Sequence, residues 1–270
     1  MSLNYTQTRW SLADLFPSHD SQEMKEAFAE LESMVAEFER RREQLAADIS
    51  PGDFLKIVGE FEQLTQLGYR IYGFASLYFS EDTQSQAAQT FLAQVEQFMA
   101  SVQDRTLFFS LWWKELADEP AGRLMAAVGD YRYWLEEMRH FKPHTLTEPE
   151  EKIVNIKDTT GMSAFLTLYD TLTNRYTFKI TDDGEEKELT RDSLMVYVRR
   201  HDPQLRAVAY QELCRVYAQD SSILGMMYQN LVRDWRNEQV DLRRFGAPIA
   251  ARNLMNDIPD QVVDTLLEVC

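Results

Sequence analysis

The sequence predicts a mostly α-helical protein, an array of long helices with one small β-hairpin. Glycine and proline are scarce, with 10 Gly and 8 Pro in 270 residues, which favours long helices over a turn-rich β protein. Apolar residues recur at helical spacing along most of the chain, and period-two alternation is convincing in only one place. Apolar residues make up 44% of the chain, so we expect a substantial core.

The first elements follow from caps and apolar stripes. Residues 10–17 read as a capped helical turn that ends at a proline, and residues 21–47 as an amphipathic helix. Ser50 caps the next helix, with Pro51 at its first position. The first stripe comprises Met24, Phe28, Leu31, Val35 and Phe38; the second comprises Phe54, Ile57, Val58, Phe61, Leu64, Leu67, Ile71 and Phe74.

A third long helix is predicted over residues 91–113, where apolar residues lead into a cluster of Phe and Trp. We expect the run 118–120 (DEP) to break it, and a shorter helix to follow through Trp134. Residues 147–150 (TEPE) have the spacing of a capping box and predict the start of another helix.

The hairpin is predicted within residues 175–189, where the helical pattern stops. Residues 175–180 alternate with period two, 181–184 form a turn, and 185–190 return as the partner strand. Helix resumes near Thr190, and Asp202 caps a long segment that we expect to continue to Arg244.

The last predicted helix starts at residues 257–260 (DIPD). It has Val262, Val263, Leu266 and Leu267 on one face, and no C-terminal glycine cap is present before Cys270. Because such a short helix needs an apolar partner, the sequence suggests a chain that is truncated in the middle of a structure.

Charge and cysteine content limit the classes of partner. There are 44 acidic and 28 basic residues, a formal charge of −16, which disfavours nucleic acid and anionic membrane as partners. Cys214 and Cys270 show neither disulfide nor zinc-site spacing, and the N-terminus lacks signal-peptide features. The most apolar run, 107–113, is too short to cross a bilayer. We expect a soluble, cytoplasmic protein.

No complete catalytic motif occurs in the 270 residues. The four histidines are His19, His140, His144 and His201, and none is followed by Glu, so H-E-x-x-H is absent. His140 and His144 have the spacing of two metal ligands on a helix, but Pro143 between them favours a structural role. Residues 161–165 (GMSAF) lack the closing glycine of a nucleophile elbow.

Three further features have a functional and a structural interpretation. Cys214 falls in a helical stripe, which favours a small buried residue over a nucleophile. The acidic run 182–186 does not match a calcium loop and favours a solvated turn. Eight aromatic residues are able to line a peptide groove, although their helical spacing favours core positions: Tyr69, Tyr72, Tyr78, Trp112, Trp113, Tyr131, Tyr133 and Trp134.

Several stretches, in order and over nearly the whole chain, resemble oligoendopeptidase F, a thimet-oligopeptidase-like zinc peptidase of the M3 family. They are residues 9–17 (RWSLADLFP), 72–83 (YGFASLYFSEDT), 142–152 (KPHTLTEPEEK), 160–161 (TG) with the hairpin, and 202–203 (DP) with the helix after it. His144 matches a recurring histidine of the family, and we expect it to fix the turn before the capped helix.

The resemblance implies one lobe of a channel-type helical peptidase that hydrolyses short peptides with zinc. It divides the chain into an N-terminal helical region (1–113), an oligopeptidase-F-like segment with the hairpin (114–189), and the start of the peptidase domain (190–270). The family's zinc ligands and general base belong beyond Cys270, so no catalytic, cofactor-binding or metal-binding residue is assigned here.

The function predicted from this resemblance is the N-terminal part of a zinc metallo-oligopeptidase, inactive alone and partnered by a C-terminal catalytic half. One alternative is a stand-alone helical module that binds peptides or acts as a scaffold without catalysis. Another is a split enzyme whose catalytic half is a separate chain.

Overall fold

A computed structural model describes residues 11–182 and 184–270, which form two compact units. Unit 1 comprises the chain up to Thr159 together with residues 236–270, and unit 2 comprises residues 160–235. The boundaries of these two units differ from those of the predicted sequence regions 1–113, 114–189 and 190–270. The division into those three regions stays a prediction. No helix among the described residues has the length and apolar character needed to cross a membrane.

Three long helices, each begun by a serine cap, organise unit 1: α1 (Gln22–Glu39), α2 (Pro51–Glu81) and α3 (Gln86–Glu115). The side chains of Ser21, Ser50 and Ser85 accept hydrogen bonds from backbone N–H groups of the first turns, at 3.1, 3.1 and 3.3 Å. The predicted helix over 21–47 is too long. It gives way to a 3-10 helix (Arg40–Gln44), whose five residues contribute no buried side chain.

The predicted stripes of α1 and α2 form the core of unit 1. Leu31, Val35, Phe54 and Ile71 are completely buried. Gly68 allows α2 to lie close to its neighbours, because a Cβ there would meet Cε of Met99 at 2.8 Å and contact Leu31 at 3.7 Å.

The segment after α3 differs from its prediction. α3 ends at Glu115, but residues 118–120 open a new helix, α4 (Asp118–Met125), since acidic residues and proline are favourable in a first turn. The single helix predicted through Trp134 is wrong. A 3-10 turn (Gly129–Tyr131) intervenes, with Gly129 at φ +56°, and α5 (Arg132–His140) follows.

The capping box predicts the start of α6 (Glu148–Thr160) correctly. The Glu150 carboxylate accepts hydrogen bonds from the Thr147 backbone N–H at 2.9 Å and from its hydroxyl at 2.6 Å. A 3-10 turn (Lys142–His144) precedes it, and Gly161 separates it from α7 (Met162–Thr173), a helix that the sequence did not reveal separately.

Unit 2 contains the predicted hairpin. β1 (Phe178–Asp182) pairs antiparallel with β2 (Glu185–Leu189), so the first strand begins three residues later than its alternating pattern. Gly184 has φ +81°, a conformation that favours glycine in a tight turn, while Asp183 of the predicted turn lies outside the described residues. Behind the hairpin pack α8 (Arg191–Tyr197), capped by Thr190, and α9 (Pro203–Gln219), capped by Asp202. The core of the unit comprises Phe178, Ile180, Leu194, Tyr197, Ala209 and Val216.

The long helix predicted from Asp202 to Arg244 is divided. α9 ends at Gln219, and α10 (Ser221–Trp235) and a π-helix (Arg236–Leu242) follow. Arg244 then adopts φ +63°, which ends helical geometry.

Two helices complete unit 1: α11 (Pro248–Met255), which the sequence did not predict, and α12 (Asp260–Val269), which it did. At the other end, Leu15 and Phe16 donate backbone hydrogen bonds to Leu12, so the predicted opening turn forms. Its first residue, Trp10, lies outside the described residues.

Candidate functional site

A concave surface of unit 1 follows one side of α2. We call it the α2 groove. Its first section has a volume of about 720 Å³ and is bounded by α2, the 3-10 turn at 129–131 and α5. The residues that line this section are Val58, Phe61, Glu62, Thr65, Gln66, Tyr69, Tyr131 and Trp134.

A second section continues the α2 groove between α2 and α3, with a volume of about 390 Å³. Thr65 and Tyr69 line both sections, so the two sections are adjacent. The other residues that line it are Leu64, Tyr72, Met99, Val102, Gln103 and Thr106. From Val58 to Tyr72 the groove follows 14 residues of helix, about 21 Å at the α-helical rise.

The α2 groove combines fixed and accessible aromatic rings. Trp134 stacks on Phe61, with centroids 5.9 Å apart, and on Phe109, at 6.3 Å, so its position is set by the core. Tyr69 is 69% exposed and Tyr72 is 38% exposed. Aromatic side chains with this exposure offer contact area at little entropic cost, because they have few rotatable bonds.

The eight predicted aromatic residues are thus divided between the two interpretations. Four of them line the α2 groove: Tyr69, Tyr72, Tyr131 and Trp134. Trp113 is fully buried and donates its indole N–H to the Leu135 carbonyl at 2.8 Å, and Trp112 packs against the same core. Tyr78 stacks with His19, and Tyr133 is exposed and hydrogen-bonds Asp257.

Acidic groups accompany the aromatic rings of the groove. The Glu62 carboxylate accepts a hydrogen bond from the Tyr131 hydroxyl at 2.6 Å, and this bond raises the pKa of Tyr131. Burial raises the pKa of Glu96, and burial together with the Glu96 charge raises the pKa of Tyr72. None of the described side chains that line either section is basic. The groove therefore has the electrostatic character of a cation-attracting surface.

A second feature of unit 1 is a buried ionic cluster around Arg243, which we call the Arg243 cluster. The guanidinium binds both oxygens of Glu151 at 2.8 Å and Oε1 of Glu238 at 2.7 Å. Burial opposes the charge of Arg243, but these bonds hold its pKa above the ordinary value. Burial acts to raise the pKa of Glu151, yet the bonds from Arg243 and from the Leu146 N–H leave it lowered.

His144 belongs to the same cluster. Its Nδ1 lies 2.8 Å from the Arg243 carbonyl oxygen, and its ring stacks on Phe245 at 3.5 Å between centroids. The 3-10 turn that precedes α6 is thereby held against the end of the π-helix. Nearby Lys114 has a pKa lowered by burial, an effect that the Glu151 charge partly offsets.

The histidines do not converge on a zinc site. His19 stacks on Tyr78, His140 contacts Glu137 at 3.2 Å, and His144 is engaged with Arg243 and Phe245. No histidine or cysteine of residues 11–182 and 184–270 belongs to a group of three side chains placed to hold a metal ion. The described histidines and cysteines therefore do not form the two-histidine donor set of the zinc site that the family resemblance implies.

Two features of unit 2 that the sequence analysis considered are Cys214 and the acidic run 182–186. Cys214 is exposed, not buried, because the packed face of α9 passes through Ala209 and Val216 instead. In the acidic run 182–186, Asp182 pairs with Lys187 at 2.7 Å and Glu186 with Lys179 at 3.5 Å. The described part of that run lies in the hairpin and its turn.

The fold and one segment of sequence relate the chain to known peptidases. The family model described as Oligopeptidase F matches residues 112–178. The crystal structure of oligoendopeptidase-F from Enterococcus faecium matches with a TM-score of 0.77 and 21% identity, over 93% of this chain and 49% of that one. A protein from Chlamydophila abortus that is described as a peptidase matches with a TM-score of 0.59 and 18% identity, over 97% of this chain and 44% of that one.

No curated protein sequence matches the chain significantly. The chain spans about half the length of the solved structures that it resembles. The fold is therefore that of the matching half of the solved oligoendopeptidase-F structure. In its fold and in residues 112–178 the chain resembles the N-terminal portion of oligoendopeptidase F, as the sequence motifs predict.

Proposed function

We propose that this chain acts as the N-terminal portion of a cytoplasmic zinc metallo-oligopeptidase that hydrolyses short peptides. It supplies scaffold and one wall of the substrate channel, and another portion of the protein supplies zinc and the catalytic residues. The observation that carries the proposal is the coincidence of two matches: the Oligopeptidase F model over residues 112–178, and the solved oligoendopeptidase-F fold over 93% of the chain.

An exposed apolar face on α12 supports the proposal. None of the residues of α12 is buried, and Val262, Leu266 and Leu267 are 54%, 60% and 73% exposed. A contiguous apolar face of this kind is typical of a surface that packs against another polypeptide portion. In the proposed enzyme, α12 packs against the catalytic portion.

The histidine content of the chain supports a division of labour. The sequence has no H-E-x-x-H, and His19, His140 and His144 make three separate contacts. In the proposed enzyme, the zinc ligands and the general base come from another portion of the protein.

The first experiment measures cleavage of a short quenched-fluorescence peptide by the purified 270-residue chain, with zinc and with a chelator. We expect no rate above background and no stoichiometric zinc. A cleavage activity that copurifies with the monomer and that a chelator abolishes would contradict the proposed division of labour.

The second candidate function is a stand-alone peptide-binding or scaffold module, and the α2 groove is the observation that favours it. The oligomeric state distinguishes the two candidates. For a peptidase portion, the exposed α12 face promotes self-association, which the double change Leu266→Ser and Leu267→Ser relieves. A monodisperse chain, unaffected by these changes, favours the stand-alone module.

A further inference from the structure

We propose that the α2 groove binds an extended peptide segment that carries apolar side chains and at least one lysine or arginine. The inference concerns a surface of unit 1 and holds whether or not the chain is part of a peptidase. Three properties of the groove support it: its length, its charge and its exposed aromatic rings.

The length of the groove suits an extended chain. The groove follows α2 from Val58 to Tyr72, about 21 Å of helix, which equals the length of about six extended residues.

The charge of the groove favours a peptide segment with a cationic side chain. Exposed Glu62 lies in the first section and is the acidic side chain among the described residues that line the groove. The Glu62 carboxylate uses Oε2 for Tyr131, and a carboxylate accepts several hydrogen bonds, so capacity for a ligand ammonium or guanidinium remains. With no basic side chain among the described lining residues and a chain charge of −16, an acidic segment is repelled.

The aromatic rings supply both apolar contact and attraction for the cation. Tyr69 joins the two sections and is the most exposed of the lining aromatics, and Trp134 is held in place by its stacking on Phe61 and Phe109. A cation over such a ring contributes about two- to five-fold in affinity at an exposed site. A segment that carries both leucine-like and lysine-like side chains therefore matches the aromatic rings and the acidic group of the groove.

The test uses fluorescence anisotropy with the full 270-residue chain. The probe is a labelled six-residue peptide of leucine and lysine, and two matched peptides replace each lysine by norleucine or by glutamate. We expect the lysine peptide to bind tightest, the norleucine peptide about five-fold more weakly, and the glutamate peptide weaker still. Added salt reduces the preference for lysine. Equal affinity for all three peptides would overturn the charge argument.

Variants locate the site. Tyr69→Ala removes an exposed ring and weakens all peptides about five-fold or more, without a change in circular dichroism. Glu62→Gln reduces the preference for lysine over norleucine, because only the rings then attract the cation, and it retains apolar binding. Tyr228→Ala, an equally exposed tyrosine of unit 2, is the matched control and leaves affinity unchanged. Binding that Tyr69→Ala does not affect would place the peptide elsewhere and overturn the proposal.

The other possible occupant is a second copy of the chain. Sedimentation of the wild type and of Tyr69→Ala distinguishes it. We expect the α2 groove to be free, so that Tyr69→Ala leaves the oligomeric state unchanged. A self-associated wild type that Tyr69→Ala converts to monomer would assign the groove to a copy of the chain instead.

Discussion

The Arg243 cluster provides the sharpest prediction about stability. Its residues lie in distant parts of the sequence, and they tie the 3-10 turn before α6 and α6 itself to the π-helix region within unit 1. The side chains of Glu151 and Arg243 are 9% and 16% exposed, and two bonds of 2.8 Å join them. We expect Glu151→Gln and Arg243→Met to destabilise the chain, by unequal amounts.

The expected loss of stability in each variant depends on which hydrogen bonds are lost and which charged groups lose their partner. Glu151→Gln keeps the shape and an acceptor for the Leu146 N–H, and Arg243 retains Glu238, so the cost is about 2–3 kcal/mol for lost charge-assisted bonds. Arg243→Met leaves Glu151 and Glu238 buried without their cation, which costs about 3–5 kcal/mol. Because both changes break the same pair, the double variant is less destabilised than the sum of the two by about 1–3 kcal/mol.

The assay is urea unfolding followed by far-UV circular dichroism, with the midpoint and slope compared between variants. Lys56→Met is the matched control, since the Lys56–Asp53 pair is 75% and 57% exposed, and it shifts stability by no more than about 0.5 kcal/mol. A Glu151→Gln cost equal to that control, or strict additivity in the double variant, would refute the assignment of a buried, coupled pair.

The stabilisation that the Arg243 cluster provides also depends on pH, and the pKa of Glu151 determines the direction of this dependence. The folded-state pKa of Glu151 lies below its ordinary value of 4.5, so its contribution to stability is complete above that value. The contribution is lost as the pH falls through the lowered folded-state pKa. The difference in unfolding free energy between wild type and Glu151→Gln therefore shrinks on acidification below 4.5, and a difference that grows there would contradict the assignment.

Three further predictions concern the core, the hairpin and one surface pair. Phe54→Ala, at a fully buried ring that stacks on Trp113, costs about 3–5 kcal/mol in urea unfolding; less than 1 kcal/mol would contradict the packing. Gly184→Ala costs about 1–2 kcal/mol, because φ is +81°, and an unchanged melting temperature would contradict that turn. Hydrogen bonds from Arg42 and Lys152 lower the pKa of Glu148 from 4.5 to about 2. Arg42→Met therefore costs about 1 kcal/mol of stability after solvent screening, and this cost disappears as the pH falls from 4.5 to about 2. A loss in Arg42→Met that does not depend on pH would contradict this pair.

The sequence predicts best where one local signal decides the structure. Ser50 with Pro51, and Thr147 with Glu150, start helices where their capping patterns place them. The hairpin follows from alternation and a turn glycine. Helix ends are less predictable: the continuous apolar spacing between Asp202 and Arg244 hides a break at Asp220, because two successive helices pack on different elements.

The candidate site depends on contacts that sequence spacing does not reveal. The aromatic set contains the groove residues, but Tyr69 and Trp113 have the same residue class and helical context although one is exposed and the other buried. The contacts of Glu151 and His144 with Arg243 span 92 and 99 residues, so only the tertiary fold brings them together. Cys214 shows the same difficulty, since one residue of helical rotation separates it from the packed face of α9.

We propose that this chain is the N-terminal portion of a zinc oligopeptidase. The most direct test is to sequence the coding DNA beyond the Cys270 codon. We expect the reading frame to continue and to encode H-E-x-x-H with a later glutamate. A stop codon immediately after Cys270 would contradict the peptidase assignment for this product and favour the stand-alone module or a separately encoded catalytic partner.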